Sequence, residues 1–197
     1  MKDDQKIILA TASPYRKRAF ENLGIDFEIC ASDINENFKN RPKDPKKLVL
    51  ELAKIKCEVV ANKYRRGFVI GFDSVAYCNK KILEKPRNIK EAKKRILSMS
   101  GKRFNFYTGV YLKNAETGKI SQKVVETKGK MRKVSEKEID FYHRQDKKGI
   151  GYAIGFDVKY NFASTFVKEI KGSYLNFLDG IPLEAILEML YKLGYKL

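Results

Sequence analysis

The run Ile7-Ile8-Leu9-Ala10-Thr11-Ala12-Ser13-Pro14-Tyr15-Arg16-Lys17-Arg18 reads as an apolar strand that stops at small hydroxyl residues and continues as a helix. Ser13 is placed to be the N-cap, and Pro14 at the first helical position gives up only an N–H that has no partner inside a helix. A strand passing directly into a helix is the opening unit of an α/β fold. Free backbone donors then sit at the positive end of a helix dipole, with Arg16, Lys17 and Arg18 crowded against it. Cations there oppose the dipole, so they are poor helix stabilisers. A bound polyanion explains both features.

Composition sets the limits within which that unit is read. The chain has 197 residues, and 43% hydrophobic and 12% aromatic residues provide for a packed core rather than a disordered chain. No apolar run approaches the roughly 20 residues of a membrane span, and the start Met1-Lys2-Asp3-Asp4 is too polar for a signal peptide, so a cytoplasmic protein is expected. Cys30, Cys57 and Cys78 are odd in number and far apart, which suggests reduced, partly buried thiols rather than disulfides or a zinc site. The net charge of +17 raises a nucleic-acid reading. Lysines spread over every predicted helix face and hairpin favour an ordinary solvated surface instead, with no sequence-specific nucleic-acid contact.

Working outward, the first helix closes at Gly24 and Phe27 to Ala31 reads as a short strand, followed by the acidic loop Ser32-Asp33-Ile34-Asn35-Glu36. Asp44-Pro45 opens a long amphipathic helix with Leu48, Leu52, Ile55 and Val59 on one face. Phe68 to Phe72 is a continuous apolar run, the pattern of a central strand buried on both faces, and it is expected to end at Asp73. A hairpin through Asn79-Lys80-Lys81 leads to Glu84-Lys85-Pro86, and a third helix covers about Ile89 to Met99. Phe104 to Lys113 and Ile120 to Val134 flank a turn as antiparallel strands, and Ser135-Glu136-Lys137-Glu138 is a capping box opening a helix with Ile139 and Tyr142 inward. Strands near Tyr152 to Phe156 and Phe162 to Ile170, and a last helix from Pro182 to Leu193, complete an α/β unit whose second half is a hairpin-rich lobe. A cleft is expected between the lobes.

Few residues carry chemistry. Asp73 falls at the carboxyl end of the most buried predicted strand, where open α/β sheets place ligands, and a carboxylate there can hold a metal or accept a proton from water. From its position alone, a capping Asp in a strand-to-hairpin turn is the better reading. Ser74 beside it offers a hydroxyl, and Glu36 supplies a second carboxylate from its loop. Lys56 lies close to the buried stripe of the second helix, where a half-buried ammonium either snorkels or is paired by a bound phosphate. Lys85 is held in an extended dipeptide by the proline after it. No P-loop is present, Gly149-Ile150-Gly151 does not continue as a dinucleotide fingerprint, and the single histidine, His143, reads as a solvated residue on a charged helix with no nucleophile to serve.

Taken in order, Leu9-Ala10-Thr11-Ala12-Ser13-Pro14-Tyr15-Arg16, Asp33-Ile34-Asn35-Glu36, Leu52-Ala53-Lys54-Ile55-Lys56, Ile70-Gly71-Phe72-Asp73-Ser74, Glu84-Lys85-Pro86, Ser100-Gly101 with Tyr107-Thr108-Gly109-Val110, and Gly172-Ser173-Tyr174 with Asn176 and Gly180-Ile181-Pro182-Leu183 resemble the Maf family. These are nucleoside triphosphate pyrophosphatases, also called septum-formation inhibitor proteins. The similarity covers essentially the whole chain, residues 1–197, as one domain. It implies an elongated Maf/inosine-triphosphatase-like α/β fold with a mixed twisted sheet and two lobes around a central cleft, commonly a homodimer. It also implies cleavage of a nucleoside triphosphate between the α and β phosphates with a divalent cation, Mg²⁺ or Mn²⁺. By motif position, Asp73 is the expected proton acceptor, with Glu36, Lys56 and Lys85 lining the triphosphate and metal site. Asp73 and Glu36 are the expected metal ligands, and Ser13 and Arg16 are expected to grip phosphates.

Several positions depart from the family pattern, and the first three, Tyr15, Ser74 and Gly155, are those linked to base choice. The branch that cleaves dTTP and UTP usually has Arg where this chain has Tyr15, Thr at Ser74, and Gln at Gly155. Its usual Ala-Gly reads Gly149-Ile150 here, and Asp179 is an extra residue before Gly180. A changed or broader base preference is therefore expected, and a 7-methyl-GTP-type or other modified nucleotide fits as well as a pyrimidine. Two rival readings remain: a basic nucleic-acid-binding protein on an inactive scaffold of this kind, which has no use for two retained acids, and an inosine-triphosphate-type pyrophosphatase, which shares the reaction and differs in base selection.

Overall fold

The computed structural model describes residues 5–146 and 148–197; the polar start at 1–4 lies outside them. The chain folds into two compact units, the first taking residues up to Asp73, Thr108–Val125 and Leu175–Leu197, the second Ser74–Tyr107 and Glu126–Tyr174. The fold is mixed α/β.

In the first unit, strand β1 (Ile7–Ala10) lies between β2 (Phe27–Ile29) and the start of β3 (Phe68–Cys78), parallel to both. The sheet continues through β5 (Arg103–Asn114) and β6 (Ile120–Met131). Its alternating side chains make two cores. Ile7, Leu9, Phe68, Ile70, Phe72, Val110 and Leu112 pack with Phe20 of α1 (Pro14–Glu21) and with Ile186, Met189 and Leu190 of α6 (Leu183–Lys192). On the opposite face Ile8, Ala10, Val69 and Tyr111 meet Ala53, Cys57 and Val60 of α2 (Pro45–Ala61). A sheet covered on both faces explains the unbroken apolar run at 68–72.

In the second unit β3 turns through Asn79 and Lys80, both at positive φ, into antiparallel β4 (Lys81–Leu83), and β6 pairs antiparallel with β7 (Val167–Gly172). Parallel and antiparallel pairs make the sheet mixed. Helix α3 (Ile89–Met99), capped by Asn88, buries Ala92, Ile96 and Met99. Helix α4 (Glu136–Gln145) opens with the expected capping box and buries Ile139 and Tyr142, whose ring meets Phe166 edge-on at 5.8 Å. A short helix, α5 (Tyr174–Asp179), precedes α6.

Several expectations are corrected. β3 does not end at Asp73 but runs on to Cys78, so Asp73 is a mid-strand residue. The segment 152–156 is not a strand: Gly155 sits at φ +86 and donates its N–H to the Tyr152 carbonyl at 2.9 Å, closing a turn. Its apolar character reflects burial of Ala153, Ile154 and Phe156, which a buried turn requires as much as a strand does. Phe162–Thr165 is a 3₁₀ turn and only Val167 onward is extended, while β6 stops at Met131. The last helix begins at Leu183, with Pro182 as its cap. On α2 the buried face is Leu48, Val49, Leu52, Ala53, Cys57 and Val60, whereas Val59 is exposed. His143 is buried, its imidazole pKa lowered by desolvation, with no hydrogen-bond partner for either ring nitrogen among the described residues.

Candidate active site

Two glycines decide where α2 lies. A Cβ on Gly71 of β3 would stand 2.1 Å from the Ala53 carbonyl oxygen and 2.8 Å from the Cys57 backbone nitrogen; one on Gly109 of β5 would stand 2.2 Å from the Val49 carbonyl oxygen. The helix backbone thus rests directly on two adjacent strands. Gly71 and Asp73 share a face of β3, and Lys56 lies on the helix between the two residues that touch Gly71. The Lys56 ammonium accordingly reaches Asp73, donating to Oδ1 at 2.6 Å. It also pairs with Glu36 Oε1 at 2.8 Å.

Glu36 comes from the loop after β2, which Arg41 fastens by donating from Nε to the Glu36 carbonyl at 3.0 Å. Lys56 and Asp73 keep only 12% and 11% of their side chains exposed, against 47% for Glu36. The cluster is therefore closed at Asp73 and open to solvent at Glu36. Burial pushes the Asp73 carboxyl above the ordinary carboxylate range, with Lys56 and Arg16 pulling it down and Glu36 pushing it up.

Arg16 is the cation of α1 that turns inward. It donates from Nε to the Gly180 carbonyl at 3.2 Å and from Nη1 to the Phe72 carbonyl at 3.4 Å, with its guanidinium 5.3 Å from the Phe72 ring centre. Gly180 supplies that acceptor because it closes α5 at φ +64. Burial lowers the Arg16 pKa while Asp73 and Glu36 raise it, so the guanidinium lies within the field of both carboxylates. The other two cations do not join it. Lys17 pairs with Glu21 at 3.6 Å, and α1 is only 8 residues long, so Arg18 falls in its last turn, where a cation suits the dipole. Ser13 begins the helix without a side-chain cap, its N–H being donated to Thr11 Oγ1 at 3.1 Å. Tyr15 is half-buried, 6.0 Å beneath the Arg18 guanidinium.

Ser74, Lys85 and Gly155 lie on three separate elements of the second unit. Ser74 is half-buried on β3, Lys85 is exposed ahead of the buried Pro86, and Gly155 is buried in the turn from Tyr152. The first unit thus gathers Glu36, Lys56, Asp73 and the field of Arg16 into one cluster. The cysteines stay out of it: all three are free, and burial pushes the Cys57 thiol up to about 12. Among the described residues no helix is long and apolar enough to cross a membrane.

A buried carboxylate bridged by an ammonium to a second, exposed carboxylate can bind a polyanion, hold a cation through its oxygens, or take a proton from water. Known proteins narrow that choice. The model of the Maf-like protein family matches residues 6–193. A dTTP/UTP pyrophosphatase of Dictyoglomus thermophilum is 32% identical over 98% of this chain and 98% of its own length. A 7-methyl-GTP pyrophosphatase of Nitrosococcus oceani is also 32% identical, over 96% of this chain and 94% of its own. Among solved structures, that of the Staphylococcus aureus Ham1 protein overlaps with a TM-score of 0.45 and 14% identity, covering 64% of this chain and 71% of that one. With matched positions from 6 to 193 and relatives alike over 94% and 98% of their own lengths, the chain belongs to the Maf family of nucleoside triphosphate pyrophosphatases.

Proposed function

We propose that the Glu36–Lys56–Asp73 cluster is the reaction centre at which this chain hydrolyses a nucleoside triphosphate to the monophosphate and pyrophosphate. The observation that carries the reading is the ammonium held between two carboxylates, one of them buried. In the reaction, Asp73 takes a proton as water's oxygen bonds to the α-phosphorus and the bond to the bridging oxygen breaks, releasing pyrophosphate. Lys56 exchanges a carboxylate for phosphate oxygens, Lys85 adds a second ammonium, and Arg16 with Ser13 holds phosphates at the start of α1.

The donor chemistry fits a divalent cation. Asp73 and Glu36 offer the hard oxygens that Mg²⁺ or Mn²⁺ prefers, two carboxylates in all. That suits an ion carried with the nucleotide, since Mg²⁺ commonly takes one or two carboxylates and completes its shell with phosphates and water. Asp73 and Glu36 would hold it, and its chemistry when bound is to offset charge on the phosphate oxygens. The family resemblance extends the proposal to a single-domain cytoplasmic homodimer.

For the base, Tyr15, Ser74 and Gly155 stand where Arg, Thr and Gln are usual; Ser74 keeps a hydroxyl, but the guanidinium and amide donors are gone, and loss of a donor to the base relaxes discrimination. The test is pyrophosphate release from dTTP, UTP, 7-methyl-GTP and the purine triphosphates, with and without a chelator. Expected are equal yields of monophosphate and pyrophosphate, loss of turnover with chelator, and activity on more than the two pyrimidines. Orthophosphate as the first product contradicts the reading. Gly155 tests the base assignment separately. At φ +86, with an added Cβ 3.3 Å from the Ala92 carbonyl oxygen, the site resists a side chain. Gly155→Gln is therefore expected to lose about 1–2 kcal/mol of stability in thermal unfolding rather than gain a pyrimidine contact. A fully stable variant that becomes selective for dTTP and UTP would show otherwise.

A further inference from the structure

We propose that Arg95 is a positioning residue that locks two loops of the second unit to α3, and thereby couples the lysine that meets the triphosphate to the segment that meets the base. The inference rests on the assignment of Lys85 and of the Gly155 turn given above. It comes from one side chain. The Arg95 side chain is only 10% exposed, although Lys94, Leu97 and Ser98 around it on α3 face solvent. Its Nη1 donates both to the carbonyl of Glu84, the residue before Lys85, and to the carbonyl of Ala153, inside the turn Tyr152–Gly155, at 2.7 Å. Its Nη2 donates to Glu91 Oε1 at 3.0 Å, and the other Glu91 oxygen accepts from the Arg87 backbone N–H at 3.1 Å and from Arg87 Nε at 3.0 Å. The chain Arg87–Glu91–Arg95 therefore ties both ends of Glu84-Lys85-Pro86-Arg87 to one helix.

A second observation places the other loop on the same support. Gly155 approaches the α3 backbone at Ala92, one helical turn before Arg95, closely enough that an added Cβ would lie 3.3 Å from the Ala92 oxygen. The turn is thus held to α3 at both Ala153 and Gly155. A planar guanidinium can meet two carbonyls and a carboxylate at once, whereas a lysine ammonium on a flexible stem cannot reproduce that fork. Burial lowers the Arg95 pKa, and the carboxylates of Glu91 and Glu84 raise it again. Freed from Arg95, the two loops would each keep their local turns and lose their fixed relation.

The test measures kcat and KM for dTTP, UTP and 7-methyl-GTP in the wild type, Arg95→Met, Arg95→Lys, Lys85→Ala and Arg95→Met/Lys85→Ala, with the melting temperature of each. Arg95→Met is expected to lower kcat/KM on the order of 10- to 100-fold and to change the ratio of kcat/KM among the three nucleotides. Arg95→Lys is expected to recover melting temperature without recovering that ratio. The double variant should lose less than the product of the two single losses, because Arg95 acts partly through Lys85. A folded Arg95→Met protein with an unchanged nucleotide ratio and fully multiplicative losses overturns the proposal. If Lys85→Ala itself leaves kcat/KM unchanged, the assignment of Lys85 fails, and the nucleotide ratio alone then decides for or against Arg95. Should Arg95→Met not fold, Arg95→Lys decides on the same ratio.

Discussion

Asp73→Asn is expected to lower turnover by about 10²- to 10⁴-fold while leaving nucleotide affinity close to that of the wild type. Asn keeps the size of the side chain and a carbonyl oxygen facing the Lys56 ammonium, now 2.6 Å from Asp73 Oδ1. It cannot take water's proton, and it is a poorer ligand for a divalent cation. Lys56 retains Glu36 at 2.8 Å, so the substitution does not strand a buried cation. The loss should therefore fall on kcat, not on phosphate grip. Pyrophosphate release and equilibrium nucleotide binding on the same preparation separate the two. Near-normal turnover, or loss of binding equal to the loss of rate, would remove Asp73 from the proton-transfer role.

Gly71→Ala is expected to be nearly as damaging without touching an ionisable group. The added methyl would lie 2.1 Å from the Ala53 carbonyl oxygen, which belongs to helix backbone and cannot rotate away. Helix α2 must move or β3 must bend, at a cost of about 1–3 kcal/mol. Any such shift carries Lys56 away from Asp73, and a misplacement of about 1 Å commonly costs 10²-fold in rate. Unfolding experiments give the first effect. Turnover at a temperature where the variant remains folded gives the second, and a stable variant with wild-type turnover would show that the seat of α2 on the sheet does not set the site.

The regular elements were legible because each answers to a local rule. Strand β1 and the first half of β3 followed from apolar runs, α2 from apolar periodicity after Asp44-Pro45, and α4 from its capping box. Asp73, Glu36 and Lys56 could be named from the chain, but their convergence depends on the close approach of α2 to Gly71, which no periodicity reveals. Phe72 and Asp73 illustrate the limit: the apolar run ends there, yet the strand continues because hydrogen bonding does not stop where hydrophobicity does.

Other misreadings share a cause. Tyr152–Phe156 looked like a strand because buried turns are as apolar as buried strands, and the +86° φ of Gly155 leaves only a glycine as its trace. His143 looked solvated amid charged neighbours, although it adjoins Tyr142, whose ring lies 4.8 Å from its own. Arg95, four residues after Glu91, is not singled out by the sequence. One signal was available: Ala92, Arg95, Ile96 and Met99 form the spacing of a buried helical stripe, and a cation within such a stripe needs partners.

The most direct measurement is a crystal structure of the protein with an α,β-imido nucleoside triphosphate and Mn²⁺, the ion located by its anomalous scattering. The account predicts the α-phosphate beside Asp73, Lys56 turned from its carboxylates onto phosphate oxygens, and the ion bound by Asp73 or Glu36 together with the phosphates. A nucleotide bound elsewhere, with the Lys56–Asp73 and Lys56–Glu36 pairs intact, would contradict it.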